Sequence, residues 1–137
     1  MNIHVVVFMK KTEKFYENAA AEYEKRLGRY CKIKVSRVSP GKKLPEPEEP
    51  CFLLAPGGRM MSSEELAEEI SGAQIRGVSR VTVVIPGEED FDVSDWGRTP
   101  EVLSLSPMEM SPGLTLTVVL EQIYRAYKII HNETYHK

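Results

Sequence analysis

Short apolar runs recur along this chain at a spacing that leaves room for a helix between them, and this alternation limits the fold more than any other feature. Residues 3–8 are almost wholly apolar and rich in β-branched side chains. Residues 51–55 and 81–85 repeat that character, and each run has the length of a buried strand, far too short to cross a bilayer. After the first run, Tyr16, Ala19, Tyr23, Leu27 and Tyr30 fall on one helical stripe, with Glu22, Lys25, Arg26 and Arg29 outside and Thr12 as the expected cap. Ile33, Val35 and Val38 read as a second strand, and the intervening Lys32, Lys34 and Arg37 assign it a wet face or edge. Pro56-Gly57-Gly58 is expected to turn the chain. Ser62 and Glu65, three apart, then match a capping box for a helix with Leu66, Ala67, Ile70 and Ala73 inside.

Pro86-Gly87 breaks the 81–85 strand, a short strand follows at 102–105, and Leu116, Leu120, Ile123, Tyr127 and Ile130 define a long final helix. On that helix Glu121 and Arg125 are four apart in the favourable order for an ion pair. Strands alternating with helices predict βαβ units, hence an α/β fold with a mostly parallel sheet flanked by helices. A length of 137 residues suits one core, so residues 1–137 are read as a single domain. The four prolines of residues 39–50 make that stretch an extended internal loop.

Charge and cysteine usage narrow the function classes. A formal net charge of -2 argues against indiscriminate nucleic-acid binding but leaves room for a local basic face. Lys32, Lys34, Arg37, Lys42 and Lys43 form the basic stretch, read first as a solvated edge and second as an RNA contact. The acidic run Glu88, Glu89, Asp90, Asp92 and Asp95 is read as a solvated loop; no metal is expected there. Trp96 is assigned to packing. Cys31 and Cys51 lie in no CxxC pair and are expected as free thiols. The start lacks a secretory cleavage pattern, so a cytoplasmic protein is expected.

The C-terminal third carries the most specific pattern: Ser104-Leu105-Ser106-Pro107-Met108, then Leu120-Glu121-Gln122-Ile123-Tyr124-Arg125-Ala126-Tyr127, then Tyr135-His136-Lys137. With the Glu22-Tyr23-Glu24-Lys25-Arg26-Leu27 helix end and the Gly58-Arg59 approach to Ser62-Ser63-Glu64-Glu65, it resembles the large-subunit rRNA methyltransferase H family. That family is a branch of the SPOUT methyltransferases. The resemblance implies a C-terminal trefoil knot, a homodimer, and transfer of a methyl group from S-adenosylmethionine to N3 of a pseudouridine in 23S rRNA. It implies a cofactor held by three backbone segments, here Leu54, the Pro86-Gly87 bend, and the loop with Leu105, Ser106, Met108 and Met110. It also implies catalytic roles for Arg125, Tyr135 and His136 in a tail that reaches the partner's pocket and the RNA. Read without the family, Tyr135 and His136 are a frayed end, and Arg125 is an ion-pair partner or a phosphate contact.

The sequence departs from the family pattern at several positions. Pro86 and Asp90 stand where glycines are usual, and proline removes a backbone N–H beside the cofactor. Ala55 replaces an Asp, Pro112 and Leu116 replace a His and an Arg, and about twenty residues that usually precede Cys51 are missing. The alternative to an enzyme is therefore a non-catalytic SPOUT-fold dimer that binds RNA or the ribosome with a degenerate cofactor pocket.

Overall fold

The computed structural model describes residues 1–47, 50–87, 93–94 and 96–135. Its elements run β1 (Asn2–Phe8), α1 (Lys14–Leu27), β2 (Lys32–Val38), β3 (Cys51–Met60), α2 (Ser63–Ile75), β4 (Arg80–Ile85), β5 (Glu101–Ser104) and α3 (Pro112–Ile130). The strands form one sheet in the order β2-β1-β4-β3-β5, every pairing parallel. The expected α/β fold is therefore present. The lysine-studded β2 lies at the edge, where exposed Lys32, Lys34 and Arg37 keep contact with water.

All three helices serve one face of the sheet. Ile3, Val5 and Val7 of β1 meet Ala20 and Leu27 of α1 and Leu116, Leu120, Ile123 and Tyr127 of α3, with Ile70 of α2 packed against the same core. Burying a side chain of this size contributes about 1.5–3 kcal/mol. The alternate residues of β1, Val6 and Phe8, face the other way into a smaller cluster with Cys51 and Val84. Leu44 from the proline-rich loop and Trp96 cover that cluster, and the Trp96 indole N–H donates to the Leu44 carbonyl oxygen over 3.0 Å. A loop with four prolines thus closes part of a face on which no described helix packs.

Local expectations hold unevenly. Ser62 and Glu65 form the reciprocal capping box of α2, and Cys31 and Cys51 are free and buried. Thr12 is not the cap of α1: Glu13 occupies that position without a side-chain cap bond, and the Thr12 hydroxyl donates to the Glu13 carboxylate over 3.0 Å. Thr12 is drawn instead against Gly113 of α3, where an added Cβ would collide with its hydroxyl and with the Tyr16 ring. Pro56-Gly57-Gly58 does not turn the chain; β3 continues through it as an irregularity that puts both Leu54 and Arg59 opposite Leu103. The physical reason is tertiary, since β5 remains alongside and takes up the pairing again at Arg59 and Met60. β5 itself ends at Ser104, leaving Leu105 to the following loop. α1 ends at Leu27, so Tyr30 reaches the core from the turn beyond it, stacked on Tyr127 with ring centroids 5.5 Å apart.

Candidate active site

A pocket of ≈ 250 Å³ opens beyond the carboxyl ends of β4 and β5, at the irregularity in β3 and against the first turn of α3. Leu54, Gly87, Leu105, Ser106, Met108 and Met110, distant in sequence, all line it. Three polar contacts tie its walls together. The buried Ser104 hydroxyl points to the Pro56 carbonyl oxygen at 3.0 Å and the Ser106 carbonyl oxygen at 2.9 Å, and the Met108 N–H donates to Ser106 Oγ over 3.0 Å. Gly87 is held closest, because a Cβ built there would stand 2.6 Å from the carbonyl oxygen of Phe8 at the end of β1.

The departures from the family pattern fall into different environments. Ala55, Pro86 and Pro112 line the pocket with apolar surface. Pro112 also occupies the start of α3 behind the N-cap Ser111, where its missing N–H leaves no helical bond unmade. Leu116 is buried in the core and does not line the pocket. Asp90 and the rest of the acidic run, Glu88, Glu89, Asp92 and Asp95, lie outside the described residues. Pro56, read from the sequence only as part of a turn, also lines the pocket, and Ile85, Glu109 and Thr115, which sequence reading did not single out, complete the described lining. The Thr115 hydroxyl bonds back to its own helix, donating to the Ser111 carbonyl oxygen over 2.9 Å, a local contact that does not announce a pocket. Among the described residues that line it, the pocket has one carboxylate, Glu109, and no Lys or Arg.

Arg125 and Tyr135 meet elsewhere. α3 stops because Asn132 adopts φ 52, while the Glu133 N–H returns to the Lys128 carbonyl oxygen over 2.9 Å and the Asn132 N–H to that of Ile129 over 3.0 Å. This pair of bonds is a Schellman stop, and it folds the tail back along the helix. Glu133 then pairs with Lys128 at 2.9 Å and accepts a hydrogen bond from the Tyr30 hydroxyl over 2.9 Å. The Tyr135 hydroxyl donates to Glu121 Oε1 over 3.0 Å, the same oxygen that Arg125 Nη2 engages at 2.7 Å. The Arg125 guanidinium also lies 4.8 Å from the centroid of the Tyr135 ring. Burial, and then the Glu121 carboxylate, push the Tyr135 phenol up to about 12, so it remains a donor at neutral pH. Glu121 is thus the organising residue of the tail. His136 and Lys137 lie outside the described residues.

Within one chain these two clusters do not meet. Neither Arg125 nor Tyr135 lines the pocket, and Arg125 stands ten residues beyond Thr115 on α3, about 15 Å along its axis. Among the described residues no helix is long and apolar enough to cross a membrane, and no three metal-ligating side chains converge.

A parallel sheet carrying its pocket beyond the carboxyl ends of the strands defines a class, the α/β proteins that take a small ligand or cofactor there. Fold alone does not choose among their chemistries. Residues 1–136 match the family described as "Predicted SPOUT methyltransferase". A protein named ribosomal RNA large subunit methyltransferase H 1 from Thermoanaerobacter sp. (strain X514) is 41% identical over 140 residues, spanning 100% of both chains. One named ribosomal RNA large subunit methyltransferase H from Bifidobacterium adolescentis is 35% identical over 159 residues, again spanning 100% of both. The chain belongs to the SPOUT methyltransferase family, among the large-subunit rRNA methyltransferase H proteins. A probable methylase family protein from Haemophilus influenzae shares the fold, with a TM-score of 0.58 at 9% identity over 99% of this chain and 70% of that one. The Thermoanaerobacter alignment also bears on the stretch missing before Cys51: an end-to-end match over 140 residues leaves that relative scarcely longer than this chain.

Proposed function

We propose that this chain is an S-adenosylmethionine-dependent rRNA methyltransferase that binds its cofactor in the pocket between Leu54, Gly87 and the 105–110 loop. One observation carries the reading: segments distant in sequence converge on a pocket whose described lining has apolar walls, a carboxylate and no cation. Such a lining suits a methyl donor carrying a positive sulfonium and disfavours anionic, phosphate-bearing cofactors. Leu54, Ile85, Leu105, Met108 and Met110 offer apolar surface to an adenine ring, and the backbone of the strand-end loops offers polar groups to its edge and to a ribose.

When bound, S-adenosylmethionine supplies an electrophilic methyl group that a base nitrogen attacks in line, with the S–CH₃ electron pair returning to sulfur. The protein's work is alignment and exclusion of water. Positive charge on sulfur fades as that bond breaks, so Glu109 favours the bound donor more than the transition state and acts on binding more than on rate. His136 is proposed to accept the proton of pseudouridine N3, with Arg125 and Tyr135 presenting the tail and Arg125 sharing its charge between Glu121 and a phosphate.

The separation of about 15 Å between Thr115 and Arg125 supports a homodimer in which each tail serves the pocket of the other copy. The knotted threading of the C-terminal segment, a single domain spanning residues 1–137 and action on ribosomal RNA in the cytoplasm belong to the same proposal. Calorimetric titration with S-adenosylmethionine, together with transfer of labelled methyl groups to ribosomes, tests it. Micromolar binding with label in 23S rRNA is expected. No heat at millimolar cofactor would leave only the non-catalytic RNA-binding dimer, the reading that Pro86 favours by deleting a donor at the pocket edge.

A further inference from the structure

The sheet face opposite the helices is covered over one half only. Leu44 and Trp96 close the half around Val6, Phe8, Cys51 and Val84. Toward the amino ends of the strands the same face changes character. Asn2 pairs with both Lys32 and Arg80, and His4 pairs with both Lys34 and Thr82. Residues paired across parallel strands project to the same side, and residues two apart along a strand share a face, so all of these lie on the side of Val6 and Val84. His4 Nε2 and Ser36 Oγ, 2.7 Å apart, join β1 to β2 across that surface.

Asn2, Lys32, Lys34 and Arg80 are exposed, and His4 and Ser36 are partly so. Burial, then the positive fields of Lys34 and Arg80, depress the His4 imidazole below its ordinary value. Elsewhere Arg26, Arg37, Arg59, Arg98, Arg125 and Lys128 each have a carboxylate within salt-bridge distance. Lys32 and Lys34 have none among the described residues. Neighbouring strands are about 4.8 Å apart and residues two apart along a strand about 6.6 Å, so the corner presents three cations with Asn, Ser and His hydrogen-bonding groups in a patch about 10 Å wide.

We infer that this helix-free corner of the sheet docks the phosphate backbone of the RNA substrate, an assignment that rests on the RNA methyltransferase reading above. The charge is complementary, and the accompanying polar side chains are those that meet phosphate and ribose. A protein partner fits less well, because the large exposed hydrophobics of the described chain, Phe15 on α1, Ile75 on α2, Met60 at the far end of β3 and Leu105 and Met108 after β5, lie outside this corner and leave it no apolar anchor. The same lack of an inserting side chain disfavours a lipid surface. With no exposed aromatic ring among its described residues on which bases could stack, the corner grips backbone and reads no sequence. From His4, β1 runs about 13 Å to Phe8, whose carbonyl oxygen abuts Gly87 at the pocket. One RNA strand can therefore be held at the corner and still deliver a base to the pocket mouth.

The test compares wild type with the Lys32→Ala/Lys34→Ala double variant by fluorescence anisotropy of a short labelled 23S rRNA fragment across a salt series, with cofactor calorimetry in parallel. Both lysines are exposed at an edge strand, and circular dichroism with an unchanged cofactor heat would verify that the variant folds. Binding to RNA should weaken at least tenfold, the slope of log K against log salt should flatten by about 1.4 for two lost contacts, and a Lys32→Arg/Lys34→Arg variant should keep both. In wild type, RNA should also shift the His4 ring resonances as phosphate offsets Lys34 and Arg80. Full affinity and slope in the alanine variant would overturn the docking surface, whatever the cofactor does. Equal, lysine-dependent binding of polyglutamate or phosphatidylserine vesicles would overturn the commitment to RNA. Lysine-dependent RNA binding without any cofactor heat would uphold the surface while the methyltransferase reading failed.

Discussion

At Gly87 the tolerance of the pocket is smallest, because a methyl group there would press on the main-chain oxygen of Phe8 rather than on a movable side chain. Gly87→Ala should therefore part the end of β1 from the bend after β4. Cofactor affinity is expected to drop at least tenfold, about 1.4 kcal/mol, with a lowered melting temperature; calorimetry and thermal denaturation read the two effects. A second residue-level expectation concerns His4, whose folded pKa is depressed by burial and by Lys34 and Arg80. The unfolded chain protonates this ring at the ordinary value of about 6.5 while the folded chain resists. The stability it contributes is thus intact above that value and is lost as pH falls through it toward the lower folded value. His4→Gln, which keeps a partner for Ser36, should show a smaller loss of melting temperature than wild type between about pH 7 and 5.

Among the elements, the end of α3 decides where the tail goes. Asn132 sits at φ 52, a backbone region that costs most L residues about 1 kcal/mol more than it costs Asn or Gly. Asn132→Gly should preserve both stability and methyl transfer. Asn132→Ala should lose about 1 kcal/mol in chemical denaturation and a larger share of activity, since Glu133 and Tyr135 would leave Lys128 and Glu121. Equal loss in the two variants would show that the left-handed stop is not what directs the tail. The irregularity in β3 has a similar importance at the other end of the pocket. A regular strand would carry Pro56 past β5 instead of holding its carbonyl oxygen against the Ser104 hydroxyl.

Across the whole molecule, pocket and tail stand apart within one chain, and the proposed homodimer is what would bring them together. Mixing a Gly87→Arg protomer with one truncated after Thr134 gives a direct reading. Each should be inactive alone, and an equal mixture should regain about a quarter of wild-type methyl transfer, because half of randomly mixed dimers are heterodimers and each of those keeps one intact site. No recovery in a mixture that sediments as dimers would mean that the tail serves its own chain.

Much of the architecture is local in origin and could be read along the chain. Short apolar runs and helical stripes located the strands and helices, the capping box of α2 is written in Ser62 and Glu65, and the lysines of β2 marked a wet face or edge, which proved to be a sheet edge. That Leu54, Gly87 and Met108 line one pocket was legible by family resemblance alone, since nothing in their local chemistry declares that they meet. Tertiary structure decided the rest. Thr12 gave up a cap to lie beside Gly113, Pro56-Gly57-Gly58 stayed in a strand because β5 runs beside it, and Pro112 proved a helix start as well as a pocket wall. Lys32, Lys34 and Arg80 became one surface only when two strands 48 residues apart in register, as Lys32 and Arg80 are, flanked β1. Sequence patterns fix what each segment can form from its own dihedrals and polarity; which segments then touch depends on non-local packing, and side-chain proximity between distant segments has no local signature.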